Sequence, residues 1–224
     1  TKLIFEGANA LTDVAVNDPE LMLTLPKGLT AATGMDALTH AVECYVSTFS
    51  FKLTNDLALL AVRYIFENLP IAVEQPQNLE ARENMTYGEY LAGMAFGSGG
   101  VGLVHAIAHQ LGGVYNLPHG LCNAILLPYV IRFNKRACAD RYRDVLAVID
   151  PQTQLTGAAA ADELAGRILA LSERIGTAKP LRELGVRRED FALLAHKALL
   201  DSCSGTNPVA ATPEEIIEIL EAAY

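Results

Sequence analysis

Gly102-Leu103-Val104-His105-Ala106-Ile107-Ala108-His109-Gln110-Leu111-Gly112-Gly113-Val114-Tyr115-Asn116-Leu117-Pro118-His119-Gly120 holds three of the five histidines of this 224-residue chain. From Gly97 to Ala124 there is no Asp, Glu, Lys or Arg. Leu103 to Val114 reads as a buried helix, and polar imidazoles in so apolar a setting require partners. A fourth histidine, His40, follows Asp36 by four residues in Gly34-Met35-Asp36-Ala37-Leu38-Thr39-His40. On a helix that spacing puts both side chains on one face. A carboxylate with several imidazoles is a ligand set for a divalent transition metal. Geometry allows both His105 and His109 to join Asp36, His40 and His119 around one ion. Five protein ligands would leave no open position for a substrate, and spacing alone does not say which is left over. His196 lacks this context and reads as a surface or packing residue.

Outward from these segments the periodicity is helical. Thr30 is placed to cap a helix carrying Asp36, His40 and Glu43 that fades near Ser47. Asn55 is placed to cap the next, from Asp56 to about Leu69, and Pro70 and Pro76 read as punctuation. A third helix begins near Asn78 and ends in the glycines from Gly97. His119 to Asn134 and Arg136 to Ile149 read as two helices, with Pro128 as a kink or break. Ala158–Ile175, Arg188–Cys203 and Pro213–Ala223 complete the set, with Gly176 and Gly185 as stops. Lys2–Phe5 and Asp13–Val16 instead form short β-type runs, a candidate hairpin. The fold class is therefore mainly α: a helical bundle-like domain with a short N-terminal β fragment.

Gly97-Ser98-Gly99-Gly100-Val101-Gly102 matches the dinucleotide-binding pattern G-x-G-x-x-G. It follows a helix rather than a strand, and Leu117 to Leu127 lacks the acidic residue expected about 20 positions on. An interhelical turn is the better reading. The net charge of −9 argues against nucleic acid as a partner. No apolar run reaches membrane-spanning length. Cys44, Cys122, Cys138 and Cys203 are widely spaced without a Cys-x-x-Cys, which fits a reduced, cytoplasmic setting.

With these residues in view, the chain resembles the iron-containing (group III) alcohol dehydrogenase family. One family signature is met by Asp18, Pro26, Ala31, Thr33, Asp36, Ala37, Leu38 and Glu43. A second is met by Gly102, His105, His109, Gly112, Gly113, His119 and Gly120. Asp201 with Cys203, then Asn207-Pro208, resembles a C-terminal element of the family, although Val209 stands where many relatives have Arg. The resemblance implies that Asp36, His40, His105 and His119 are the metal ligands, and that His109 is a free histidine beside the nicotinamide, in the proton path. It implies Fe2+ or Zn2+ as the metal and NAD or NADP as the hydride carrier, with Leu23, Thr24 and Leu25 touching the cofactor. It also implies a dehydroquinate synthase-like α domain over residues 27–224, preceded at 1–26 by a remnant of an α/β nucleotide domain and its crossover. The expected reaction interconverts a small alcohol with its aldehyde or ketone.

Most of the family's nucleotide domain, including its glycine-rich phosphate loop, has no counterpart in this sequence, so the isolated chain is expected to be inactive. A homo-oligomer is expected, with no nucleic-acid or membrane partner. Two other readings compete. A lyase of the dehydroquinate synthase type needs basic residues to grip phosphate, and the histidine segments have almost none. A helical scaffold or oligomerisation module that keeps inherited ligands would need no second domain.

Overall fold

The computed structural model describes residues 12–224. Eight α-helices follow in order: α1 Lys27–Val46, α2 Lys52–Glu74, α3 Leu79–Gly99, α4 Leu103–Tyr115, α5 His119–Ile149, α6 Gly157–Ile175, α7 Phe191–Leu199 and α8 Pro213–Ala222. Short 3-10 turns at Pro19–Met22, Leu181–Leu184, Arg188–Asp190 and Ser202–Thr206 join them. Among the described residues there is no strand. Lys2–Phe5 lies outside the described residues. Asp13–Val16 runs as irregular chain with Val14 and Val16 largely exposed, because a strand requires a paired neighbour and the described residues offer none.

Helix α1 is the centre of the molecule. It packs on α2, α3 and α5, and is buried on nearly every side through Ala31, Met35, Ala37, Leu38, Ala41, Val42 and Tyr45. A helix apolar all round is a core helix. Helix α4 is the second buried helix, held between α5 and α7, with Leu103, Val104, Ile107, Ala108 and Leu111 in the core. Asp36 and His40 therefore ride on one enclosed helix and His105 and His109 on the other, where packing fixes their side chains, while His119 opens α5. The axes of α3 and α4 meet at 102° across Gly100–Gly102, so the glycine cluster is an interhelical turn.

Several boundaries differ from the sequence expectations, each for a physical reason. Helix α1 starts after Pro26, one turn before Thr30, because Pro26 supplies extended backbone that ends the preceding loop. Helix α2 begins at Lys52, where the hydroxyl of Thr54 accepts the Phe51 backbone N–H at 2.9 Å. Asn55 instead accepts from Arg141 at 2.8 Å. Pro70 lies within α2, which continues to Glu74 because Leu69, Ala72 and Val73 extend its buried stripe. The chain passes through Pro128 in helical geometry and leaves it at Cys138 (φ −138°, ψ 33°), so α5 is two helical segments, as expected, that meet three residues later than Lys135. The stretch expected as one helix from Arg188 to Cys203 is α7 with a 3-10 turn on either side. The second turn is nucleated by Asp201, whose carboxylate accepts the Cys203 N–H at 3.1 Å. Asn78 does cap α3, accepting the Ala81 N–H at 3.1 Å, and Thr212 opens α8 in a reciprocal bond with Glu215. No single helix among the described residues is long and apolar enough to cross a membrane.

Candidate metal centre

Asp36 and His40 project from one face of α1, four residues apart. His105 projects from the first turn of α4, and His119 is the first residue of α5. Two close helix approaches bring these together. A Cβ at Gly120 would lie 2.3 Å from the Ala32 carbonyl oxygen, so only glycine lets the start of α5 rest on the α1 backbone and put His119 beside Asp36. A Cβ at Gly102 would lie 2.8 Å from the Asn207 amide oxygen and 2.9 Å from Glu43 Oε1, the groups that receive the first amides of α4.

Asp36 Oδ1 lies 3.6 Å from His105 Nε2 and 3.5 Å from His119 Nε2. Ligand-type atoms of Asp36, His40 and His105 all fall within 4.8 Å of one another. The His40 ring stacks on His105 at 4.6 Å and on Phe96 at 4.2 Å, and the His105 and His119 rings are 5.2 Å apart. The structure thus gathers Asp36, His40, His105 and His119, drawn from three helices, into one cluster.

Asn123, one turn after His119, sits at its middle. Its Nδ2 donates to Asp36 Oδ1 at 2.5 Å and lies 3.1 Å from both His105 Nε2 and His119 Nε2. Its Oδ1 is buried with no hydrogen-bond partner. Three acceptor atoms thus converge on one small volume, and an orphaned buried oxygen borders it. That convergence of N and O donors suits a divalent transition ion, and an ion there would take the place that the Asn123 amide hydrogen bonds fill.

The electrostatics agree. Burial alone would raise the Asp36 carboxyl, but the hydrogen bond from His105 and the positive character of His40, His119 and His105 hold it far below the ordinary range. Burial alone would lower His105, yet its contacts with Asp36 and Glu43 push it up to about 9. In the absence of other cations the cluster therefore retains a proton. A carboxylate among imidazoles, with no Lys or Arg between Gly97 and Ala124, favours positive charge at this point.

His109 faces the same cluster from the next turn of α4. Its ring lies 5.2 Å from His119 and 6.0 Å from His105. Its Nδ1 is 2.9 Å from Asp201 Oδ2, which also accepts from Gln110 at 3.2 Å. Burial would raise Asp201, but the His109 hydrogen bond and the Cys203 N–H bring it below the usual range. Asp201 and Cys203, noted in sequence only as part of a family-like element, therefore border the site through His109.

Two side chains named in the sequence only as parts of family-like elements reach the start of α4. Glu43 lies 2.6 Å from His105 Nδ1, and Asn207 Oδ1 accepts the Leu103 N–H at 3.2 Å. Asn123 is not singled out there, and its offset of four from His119 on one helix is the signal that could have marked it. Leu23, Thr24 and Leu25 are not among the side chains gathered around Asp36. They lie ahead of α1, where the Leu23 carbonyl accepts from Gln77 at 2.8 Å and Thr24 is exposed. His196 is exposed on α7.

Residues 30–224 match the family model described as the Fe-containing alcohol dehydrogenase family, C-terminal. The whole chain is 46% identical to the 1,3-propanediol dehydrogenase of Citrobacter freundii, covering 58% of that protein. Over 211 residues it is 43% identical to the NAD-dependent methanol dehydrogenase of Bacillus methanolicus, covering 94% of this chain and 55% of the relative. A solved structure of a 1,3-propanediol oxidoreductase superposes with a TM-score of 0.90 at 45% identity, over 92% of this chain and 55% of that one. The chain therefore spans little more than half the length of the relatives it matches.

Proposed function

Because the chain belongs to the iron-containing alcohol dehydrogenase family, we propose that it is the metal-holding helical part of an NAD(P)-dependent alcohol dehydrogenase. In this reading residues 27–224 form the metal domain. Residues 1–26 are the end of a nucleotide-binding domain with its crossover, and Leu23, Thr24 and Leu25 border the cofactor. The observation that carries the proposal is the convergence of Asp36 Oδ1, His105 Nε2 and His119 Nε2, with His40 stacked against them.

Asp36, His40, His105 and His119 would hold Fe2+, with Zn2+ as the alternative, since both accept this donor set. When bound, such an ion supplies Lewis acidity to an alcohol or carbonyl oxygen. The chain's own residues do the rest. Asp36 offsets part of the positive charge. Asp201 holds His109 through Nδ1, which leaves Nε2 free to take a proton from the alcohol side and return it in the reverse direction. Phe96 covers one face of His40 and limits water on that side.

The substrate class follows from charge. Asp36, Glu43 and Asp201 line or border the site without a neighbouring Lys or Arg in the histidine segments, which disfavours a phosphate-bearing substrate and favours a small neutral alcohol. That counts against a dehydroquinate synthase-type lyase. The spacing of the cysteines supports a cytoplasmic setting, and a homo-oligomer is the expected assembly.

The test is made on the full-length protein purified anaerobically. Elemental analysis should find about one iron or zinc per chain. NAD- or NADP-dependent oxidation of methanol, 1,3-propanediol and related small alcohols should accompany it. His119→Ala should lose the ion and the turnover together; full metal occupancy in that variant would refute the ligand assignment. Residues 1–224 alone should show no turnover, and the scaffold reading gains if the full-length protein also shows none while folded and metal-loaded.

A further inference from the structure

We propose that Glu43 is a positioning residue that fixes which ring nitrogen His105 presents to the metal, and so couples the start of α4 to metal affinity. The inference rests on the metal-centre reading above. Glu43 is 3% exposed, on α1 one turn after His40, and its carboxylate faces the N-terminus of α4. Both oxygens are engaged. Oε1 accepts the Val104 N–H at 2.6 Å. Oε2 accepts the His105 N–H at 3.4 Å and faces His105 Nδ1 at 2.6 Å.

Helix N-termini leave their first amides unpaired, and a carboxylate there is favoured by the helix dipole as well as by hydrogen bonding. Capping alone would explain the Val104 contact. It does not explain the third contact. A carboxylate is an obligate acceptor, so His105 Nδ1 must carry the proton, and the lone pair of the neutral ring is then on Nε2. Nε2 is the atom that faces Asp36 Oδ1 and Asn123. One buried side chain thus sets the height of α4, the rotation of the His105 ring and its tautomer. Orientation of a metal-binding imidazole by a carboxylate on its far nitrogen commonly contributes 10–100-fold to affinity.

Glutamine keeps the size and the acceptor for Val104, the short capping contact. It replaces the other oxygen by an amide that donates, giving up on the capping side only the long 3.4 Å acceptance of the His105 N–H. His105 Nδ1 must then accept, and the proton moves to Nε2, the wrong side. The experiment titrates metal-free full-length protein with Zn2+ against a competing chelator, for the wild type and Glu43→Gln, with thermal melts of each metal-free form and the ring 15N shifts of His105, which report its tautomer. The expected result is a loss of about 10–100-fold in Zn2+ affinity for Glu43→Gln, with the ring proton moved to Nε2. Unchanged affinity with a lowered melting temperature would mean that Glu43 only caps α4, and would overturn the proposal. So would a loss of affinity with the proton still on Nδ1. Wild-type protein that binds no Zn2+ would instead sink the metal-centre reading itself. Should Glu43→Gln fail to melt cooperatively, the Zn2+-loaded wild type decides: the His105 Nδ1 proton must be far downfield and slow to exchange in NMR, and a rapidly exchanging proton overturns the assignment.

Discussion

His109 Nδ1 lies 2.9 Å from Asp201 Oδ2, a contact that ties the second turn of α4 to the loop after α7 across 92 residues of chain. Because Nδ1 is committed to the carboxylate, Nε2 is the ring nitrogen left for the proton transfer proposed above. Asp201→Ala should therefore leave metal content unchanged and lower kcat in the full-length enzyme by roughly 10²-fold or more, the scale of a misplaced general base. Steady-state kinetics beside elemental analysis of the same preparation check this. Loss of metal would mean that Asp201 supports the ligands instead.

The metal-free protein should show an opposed pH response at its centre. His105 is raised from 6.5 to about 9, so its contribution to stability is complete below about 6.5 and is lost as pH rises through about 9. Asp36 is lowered from 3.8, so its contribution is present above 3.8 and is lost as pH falls through its depressed value. Their joint contribution is greatest between about 4 and 6.5. Metal uptake needs a neutral His105, so affinity should climb with pH up to about 9, with release of a proton. Calorimetric titration in buffers of different ionisation enthalpy measures that proton, and a pH-independent affinity would contradict the coupling of His105 to Asp36 and Glu43.

Gly120→Ala should be severe for so small a change. The added Cβ meets the Ala32 carbonyl at 2.3 Å, and backbone cannot swing aside as a side chain does. A destabilisation of about 2–4 kcal/mol is expected, as for other steric insertions into a packed core. His119 should be displaced with it. Urea melts give the first quantity and the metal titre the second.

Asn123→Ala tests the centre of the cluster from the other side. In the metal-free form the Asn123 amide bonds to Asp36 and approaches both imidazoles, so an ion competes with it. Removing the amide should weaken the metal-free fold and strengthen Zn2+ binding, by roughly tenfold for about 1–1.5 kcal/mol of lost hydrogen bonding. Chelator competition reads the change, and weaker binding would assign Asn123 a supporting role towards the ion.

What the sequence made legible was local. Asp36 and His40 share a helical face because they are four apart, and the structure keeps that relation. The uncharged, histidine-bearing stretch became the buried helix α4 because such a segment has nowhere else to go. Asn78 and Thr212 cap as their chemistry dictates. Pro70 reads as punctuation and Pro128 as a kink or break, but each lies on a buried stripe whose packing outweighs one lost hydrogen bond. Glu43, Asn123, Asp201 and Asn207 could not be assigned from spacing, because the significance of each lies in a residue on another helix. Asn207, for example, pairs its amide with that of Asn134 at 2.8 and 2.9 Å while capping α4, a relation no periodicity records.

The twofold closure of the α4 start has a consequence for biosynthesis. Val104 waits on Glu43, 61 positions earlier, and Leu103 on Asn207, 104 positions later. While the ribosome is still short of Asn207, the helix bearing His105 and His109 lacks one of its two anchors, although every histidine of the cluster has already been synthesised. Productive loading should therefore follow the synthesis of Asn207. Nascent chains stalled before Asn207 should bind Zn2+ added as a probe loosely or at the wrong place.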